Sequence, residues 1–417
     1  MQIFHDKTEI TLKNSFEQTS FIDWRTQPKN HKKYPEFFRR YKIDEFDELK
    51  FIKNFGKITD IKKYGKEEVS LRTNPSAGGL YPCEVYIQIR GVKGFLSGIY
   101  HYEPLENNLV LIHELSNDGL EYYLQKNQQY KFVTLISNVY FRSSWKYEKR
   151  AIRYLLLDTG HQIGSIYSAL KLENIDCKLE FEFDRNLINE SFGFEGFEFF
   201  QVAILSEFYK EKEIKPLREK LVNVSACDYQ IRNSFIDSFI NHLEHESFPF
   251  TMHFDFLEEL EKKNLEEAIN KRRSIRAFKE ESITKNEFNL IIKDIFEYSN
   301  CFGIDIYIIV NNIKDLKSGI HKNVTLLEEG DFRELSKKLA FNQKLGGSSC
   351  FTLFFTSRLD SNYIQNYILC GFLAHIISIR AINLEISSSG IGAYFDDECK
   401  KTFNTQNNIL YLQAIGK

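Results

Sequence analysis

A chain of 417 residues is long enough for two domains and for large buried cores. With 42% hydrophobic residues, 27% charged residues and a net charge of −3, it reads as an ordinary globular protein with no general affinity for nucleic acid. The seven cysteines, at 83, 177, 227, 301, 350, 370 and 399, form no C-x-x-C pair. That pattern argues against a structural zinc or a disulfide scaffold and for a reducing compartment. The opening MQIFHDKTEI has no signal-peptide layout, and the apolar runs near Ile304–Val310 and Cys350–Phe355 are too short to span a bilayer. A cytoplasmic protein is therefore expected, with no membrane and no metal. The basic runs His31–Lys32–Lys33 and Arg39–Arg40 read as solvated faces.

In chain order, residues 1–54 form an N-terminal extension rich in Phe, Tyr and Lys. Residues 55–207 follow as a first domain. Its segment Arg72–Tyr86, RTNPSAGGLYPCEVY, is a tight small-residue loop that feeds a strand with alternating apolar residues, Val85–Ile89. A Gly-bounded turn, GVKGFLSGIYHYEP, comes next, then a strand at Phe132–Tyr140. Ile152, Leu155, Leu156, Ile163, Ile166 and Leu170 recur at helical spacing and predict a helix over 147–172. Phe199–Leu205 closes the domain as a strand.

Residues 208–261 have mixed charge and little pattern apart from a helix near 228–245, and read as a connector. The second domain, 262–417, begins with a helix ending near Lys271. It continues with a helix over 285–297, strands at Ile304–Val310 and Cys350–Thr356, a long helix Asn362–Leu384 and a closing strand Leu410–Ile415.

The two domains look like diverged copies. Ala169–Leu–Lys–Leu–Glu resembles Ala381–Ile–Asn–Leu–Glu near the end of each long helix. An aromatic-acidic pair follows each, Phe183–Asp184 and Phe395–Asp396, and then a strand, QVAIL or LQAIG. Two copies of one unit predict an α+β fold in which fused domains form an intramolecular pseudo-dimer.

Three further segments can carry chemistry. Small residues at Pro75, Ser76, Ala77 and Gly78 let backbone lie close to a flat ligand, and Ser76 can hydrogen-bond to it. Taken alone, the segment is equally a plain turn before a strand. KRRSIRAF gathers Arg272, Arg273, Ser274 and Arg276, forked guanidiniums and a hydroxyl suited to phosphate, or simply a solvent-facing basic cluster. Between strand and helix, Lys146 and Tyr147 are a base-and-acid pair if burial or nearby cations tune them; a surface Lys beside a packed Tyr is the alternative. Ser389, Gly390, Ile391 and Gly392, after the second long helix, offer free amides to a planar ring, or a helix end running into a loop.

RTNPSAGGLYPCEVY, GVKGFLSGIYHYEP and WKYEKRAIRYLLLDTGH together resemble the SagB-type azoline dehydrogenases, a branch of the nitroreductase superfamily, over roughly 55–205. More loosely, over roughly 262–417, KRRSIRAF resembles the phosphate-binding start of ordinary nitroreductases, and SSSGIGAYFDD their glycine loop beside the flavin ring. The resemblance implies an α+β unit that dimerises and binds FMN at the interface. Each half departs from it in a complementary way. The first has the bulky Cys177–Lys–Leu–Glu–Phe–Glu–Phe in place of a glycine loop; the second has no Pro-Ser-Ala-Gly and no Lys-Tyr. One FMN per chain is the expectation, with Arg272, Arg273, Ser274, Arg276 and Ser389–Gly392 from the second half and Pro75–Gly78 from the first. A basic residue that the family often adds from a C-terminal tail has no counterpart after Ile415–Gly416–Lys417, so Lys417 or Arg72 would substitute, or fewer charges hold the phosphate.

The implied activity is oxidation of a peptide-borne or carrier-tethered thiazoline or oxazoline to thiazole or oxazole, with Lys146 as base, Tyr147 as proton relay and dioxygen as electron acceptor. Lys146 must be neutral to act, so Arg142, Lys149 and Arg150 are expected beside it. An NAD(P)H-dependent nitroreductase and a flavin-free scaffold of a biosynthetic complex are the rival readings. Pairing of whole chains is left open.

Overall fold

The computed structural model describes residues 1–15, 22–64, 67–244, 251–358 and 362–417 and divides into two units, Asp23–Asp255 and Met1–Ile22 with Phe256–Lys417. Residues 1–54 are thus shared between the units rather than forming one extension. Part of the predicted connector, 245–250, lies outside the described residues, and its predicted helix spans Ser234–Glu244.

In the unit Asp23–Asp255 the strands β1 (Cys83–Ile89), β2 (Gly98–Glu103), β3 (Asn108–Glu114) and β4 (Gln128–Val139) lead into two helices, α1 (Tyr140–Tyr147) and α2 (Ala151–Lys171). Strand β5 (Cys177–Glu180), helix α3 (Arg185–Ser191) and strand β6 (Glu198–Glu211) complete the pattern. The antiparallel sheet runs in space from the short strand Arg40–Lys42 through β3, β2, β1, β4, β6 and β5 to Thr251–Met252. Strand β1 is buried at every position, so both sheet faces are covered.

Helix α2 is buried along all but its last residue, as its apolar spacing requires. Its polar side chains find partners, as buried polar groups must. Thr159 Oγ1 donates to Leu155 O at 2.8 Å, and Ser165 Oγ to Asn54 O at 2.9 Å. The helix predicted over 147–172 is α2, which begins at Ala151, after a short turn Glu148–Arg150. Glu148 adopts φ +46°, a left-handed conformation that stops α1 and restarts the chain as α2. Lys146 and Tyr147 therefore sit at the end of a short helix, not at the entrance of the long one.

The other unit repeats the order. After α4 (Lys262–Lys271) come β7 (Ile304–Val310), β8 (Gly319–Lys322), β9 (Thr325–Glu329) and β10 (Phe351–Ser357). Then follow α5 (Tyr363–Asn383), β11 (Ser387–Ile391), α6 (Asp396–Thr402) and β12 (Asn408–Gly416). The sheet order is β9, β8, β7, β10, β12, β11, all antiparallel. Each strand has a counterpart in the first sheet: β1 with β7, the hairpin β2–β3 with β8–β9, β4 with β10, β6 with β12 and β5 with β11. Both long helices have 21 residues. The internal duplication read in the sequence is therefore a duplication of topology. The predicted helix over 285–297 is two helices, Lys285–Ile291 and Ile295–Cys301, parted at Asp294 with φ +62°.

Helix α5 is apolar and long enough to cross a membrane by length and composition, which the short apolar runs did not suggest; its apolar window is wholly buried inside the fold. The N-terminal residues of this unit are tied to it in both directions. Ile10 N donates to the Asp396 carboxylate at 2.8 Å, and Asp396 N donates to Ile10 O at 2.8 Å.

One basic run expected at the surface is partly interior. Lys32 is buried and pairs with Glu198 at 2.5 Å, while its Nζ also donates to Tyr86 Oη and Asn223 Oδ1, each at 2.8 Å. Beside it, Glu84 takes Arg142 at 2.6 Å and His101 at 2.8 Å. Burial alone would raise the Glu84 carboxyl, but Arg142, with His101 and Lys32, holds it well below the usual carboxylate range. Removing one partner from such a cluster strands the others without water. Glu84→Ala is expected to cost about 3–5 kcal/mol of stability, read as a fall in the urea midpoint.

Candidate active site

Within the unit Asp23–Asp255, the Pro75–Gly78 loop and the Lys146–Tyr147 pair come together. Gly78 has φ +66°, and a Cβ built there would lie 2.7 Å from the Tyr147 hydroxyl and 3.3 Å from Lys146 Nζ. Only a residue without a side chain fits that close approach. Two segments about seventy positions apart in sequence thus bring a phenol and an amine to one half-buried loop, at its exposed Gly78.

The loop is fixed from beneath by a residue that sequence reasoning left unassigned, Asp158 on α2. Ser76 Oγ donates to Asp158 Oδ2 at 2.5 Å and Ala77 N to Asp158 Oδ1 at 3.2 Å, while Tyr81 N donates to Ser76 Oγ at 2.9 Å. One turn earlier on α2, the Tyr154 ring packs on Tyr147 with centroids 4.4 Å apart. Tyr154 and Asp158, at i and i+4, share a helix face, so one face sets both the loop and the phenol. The far end of the loop is held by Arg142, whose Nη1 donates to Tyr81 O at 2.9 Å.

The cations expected beside Lys146 are committed to other partners. Arg142 serves Glu84 and Tyr81 O, Lys149 lies 5.7 Å over the Phe235 ring, and Arg150 Nε donates to Tyr154 Oη at 3.3 Å. The amine lies instead 4.8 Å above the ring of Trp24.

In the unit Met1–Ile22 with Phe256–Lys417, the two other predicted segments also meet. Ser274 forms a parallel β-bridge with Ser388, placing KRRSIRAF along β11. Arg272 is buried, Arg273 is half-buried, and Ser274 and Arg276 are exposed. Arg273 Nη1 donates to Asn270 O at 3.1 Å and Arg272 O at 2.6 Å, capping the end of α4. Ser389, Gly390 and Ile391 belong to strand β11 rather than to a loop, and Gly392 follows it. Ile391 packs in the core. A Cβ at Gly390 would fall 1.7 Å from the Tyr411 hydroxyl, so that glycine makes room for Tyr411. Lys417 Nζ is paired with Glu287 at 3.0 Å, and Arg72 is buried, 4.4 Å over Tyr81, with Nη2 donating to Asn30 O at 2.6 Å.

No family model matches the chain. It is 32% identical over 107 residues to a protein of Methanocaldococcus jannaschii named "putative nitroreductase", a match covering 24% of this chain and 53% of that one. It is 29% identical over 101 residues to indigoidine synthase of Streptomyces lavendulae, 24% of this chain and 7% of the synthase. The chain thus spans about half the length of the first relative and a small part of the second. A crystal structure from Anabaena variabilis, bearing the same nitroreductase description, superposes with a TM-score of 0.83 at 21% identity, covering 100% of this chain and 99% of that one. The whole chain has the fold of that nitroreductase-like protein.

Burial raises the Asp158 carboxyl to about 7, against the pull of its bonds from Ser76 and Ala77. A carboxyl that holds its proton more tightly in the folded chain than in the unfolded one makes stability fall as pH rises between the two values, about 4 and about 7. Asp158→Asn is expected to abolish that part of the pH dependence. Urea unfolding from pH 4 to 8 should then show the difference between wild type and variant changing by a few kcal/mol and levelling above pH 7.

Proposed function

We propose that this chain is an FMN-dependent dehydrogenase of the nitroreductase superfamily that oxidises thiazoline or oxazoline rings to thiazoles or oxazoles. Its substrate would be a peptide or a carrier-tethered intermediate in natural-product biosynthesis. The observation that carries the reading is the meeting of Gly78 with Lys146 and Tyr147. The whole-chain fold supports an oxidoreductase, and the partial likeness to indigoidine synthase supports a biosynthetic setting. Seven free cysteines are in keeping with a cytoplasmic location.

The residues fit the cofactor in chemistry. Exposed Ser274 and Arg276, with Arg273 beside them, suit its phosphate. Gly78 lies against the Lys146–Tyr147 pair, and the space at Gly390 is taken by Tyr411. Bound FMN would supply a two-electron acceptor. The chain's own work is acid–base and positional. Lys146 takes the proton from the azoline ring carbon, Tyr147 orients that proton transfer, and the loop clamped by Asp158 keeps both groups beside the substrate.

Purified protein should be yellow, with one FMN per chain. Two per chain would overturn the single-site reading, and a colourless protein would favour the scaffold. Lys146→Ala should keep its flavin and lose aromatisation at least a hundredfold; full turnover by that variant removes Lys146 from the chemistry. Arg276→Ala should weaken FMN at least tenfold but leave riboflavin binding unchanged, because only FMN carries the phosphate. A nitroreductase that draws on NAD(P)H is the second reading, favoured by the descriptions of the two relatives. Rapid bleaching of the flavin by NADPH would select it.

A further inference from the structure

Resting on the dehydrogenase reading, we propose that Trp24 is the substrate-binding residue for the planar ring. Its exposed face is the surface on which an unsaturated five-membered heterocycle lies beside Lys146. Most of the large aromatic side chains in this protein are buried; Trp24 is 50% exposed. It stands on a short turn, Trp24–Thr26, that is held unusually firmly for a surface element. Asp23 accepts from Arg25 N at 3.1 Å, and Thr26 Oγ1 donates to Asp23 O at 2.8 Å. Trp145 Nε1 donates to Thr26 Oγ1 at 2.9 Å, and the Tyr229 hydroxyl donates to Thr26 O. The Trp145 ring meets Trp24 edge-to-face with centroids 5.6 Å apart. These ties fix the ring, which stays half exposed and carries the Lys146 amine over one face.

That ring face is where Lys146 rests, with Nζ 4.8 Å from the centroid. An exposed ring holds an ammonium weakly, with a strength similar to that of an offset aromatic stack. A planar ligand can therefore take the amine's place on Trp24. The displaced amine remains tethered one residue from Trp145 and adjoins the ligand's ring edge, where the ring-carbon proton is. A flat, conjugated ring stacks well; a puckered saturated ring does not. Trp24 would thus select flat unsaturated rings.

The test uses a property of the composition. Trp24 and Trp145 are the two tryptophans of the chain, so emission excited at 295 nm comes from this place alone. The full chain, with and without FMN, is titrated with thiazole-4-carboxamide and with its saturated counterpart thiazolidine-4-carboxamide. The planar probe should change the emission saturably, at least tenfold more tightly than the saturated one. Trp24→Leu should abolish the response while Trp145 still emits, Trp24→Phe should restore part of the affinity, and Trp145→Phe should retain the response. In turnover, Trp24→Leu should raise KM at least tenfold with kcat changed less. Equal affinity for the two probes, or an undiminished response in Trp24→Leu, overturns the assignment. Selective binding of the planar probe without any azoline oxidation would support the aromatic surface and remove the dehydrogenase reading, so the two fail separately.

Discussion

The buried carboxyl of Asp158 and the two donors it accepts constrain everything else at the candidate site. A loop rich in Pro, Gly and Ser has many conformations available, and ordering it costs entropy that its own small side chains cannot repay by packing. Asp158 supplies the missing enthalpy locally, taking Ser76 Oγ and Ala77 N at once. The surrounding burial strengthens these bonds while raising the cost of a charge on the carboxyl. The same helix carries Tyr154, which seats Tyr147. The loop and the Lys146–Tyr147 pair are therefore positioned by one helix, and the contact of Gly78 with both Lys146 and Tyr147 follows from it. Groups set on a shared helix face hold their spacing better than groups set on separate loops.

Much of this was legible in the sequence, and the failures have physical causes. Strands β1, β7, β10 and β12 and helices α2 and α5 carry strong periodicity, and their ends fell within a few residues of expectation. Ser387–Ile391 looked like a loop because Ser and Gly are poor strand formers; pairing with β12 overrides that preference. Lys32 looked solvated because a basic run usually is. Its partners Glu198, Tyr86 and Asn223 are dispersed through the chain and become neighbours only when the sheet forms. Asp158 had a usable signal: it is the one carboxyl of a long helix rich in Leu and Ile. Such a residue either has strong partners or is neutral. The break at Glu148 had none, since glutamate has no special tolerance for a left-handed backbone.

The expected cations around Lys146 show how proximity in sequence misleads. Arg142, Lys149 and Arg150 lie within four positions of Lys146, yet a helical chain distributes such neighbours around its axis. Arg142 turns inward to Glu84, where its charge serves the core. Lys146 turns outward to Trp24, a residue more than a hundred positions away that no local reading would pair with it. The amine thus lies over two aromatic rings, Trp24 and Tyr147.

The duplicated topology lets equivalent strand edges of the two units be compared. Strands β5 and β11 are equivalent, each pairing on one side with the closing strand of its own sheet. The other edge of β5 is capped by Thr251–Met252, which pairs with Glu180 and Leu179 and spends the backbone groups there. Glu180, buried in that strand, is further engaged by Lys126 at 2.5 Å. The corresponding edge of β11 is met by a single bridge from Ser274, which brings a hydroxyl and the neighbouring guanidiniums with it. A strand edge closed by ladder pairing has no amides left for a ligand, whereas one touched at a single point beside basic residues does. The unit whose equivalent strand lacks glycine is thus the one in which that sheet edge is paired. The absence of the small-residue loop from the other copy goes with the absence of any carboxyl equivalent to Asp158. At that level of α5 stand Cys370 and Phe372, which have nothing with which to clamp a loop.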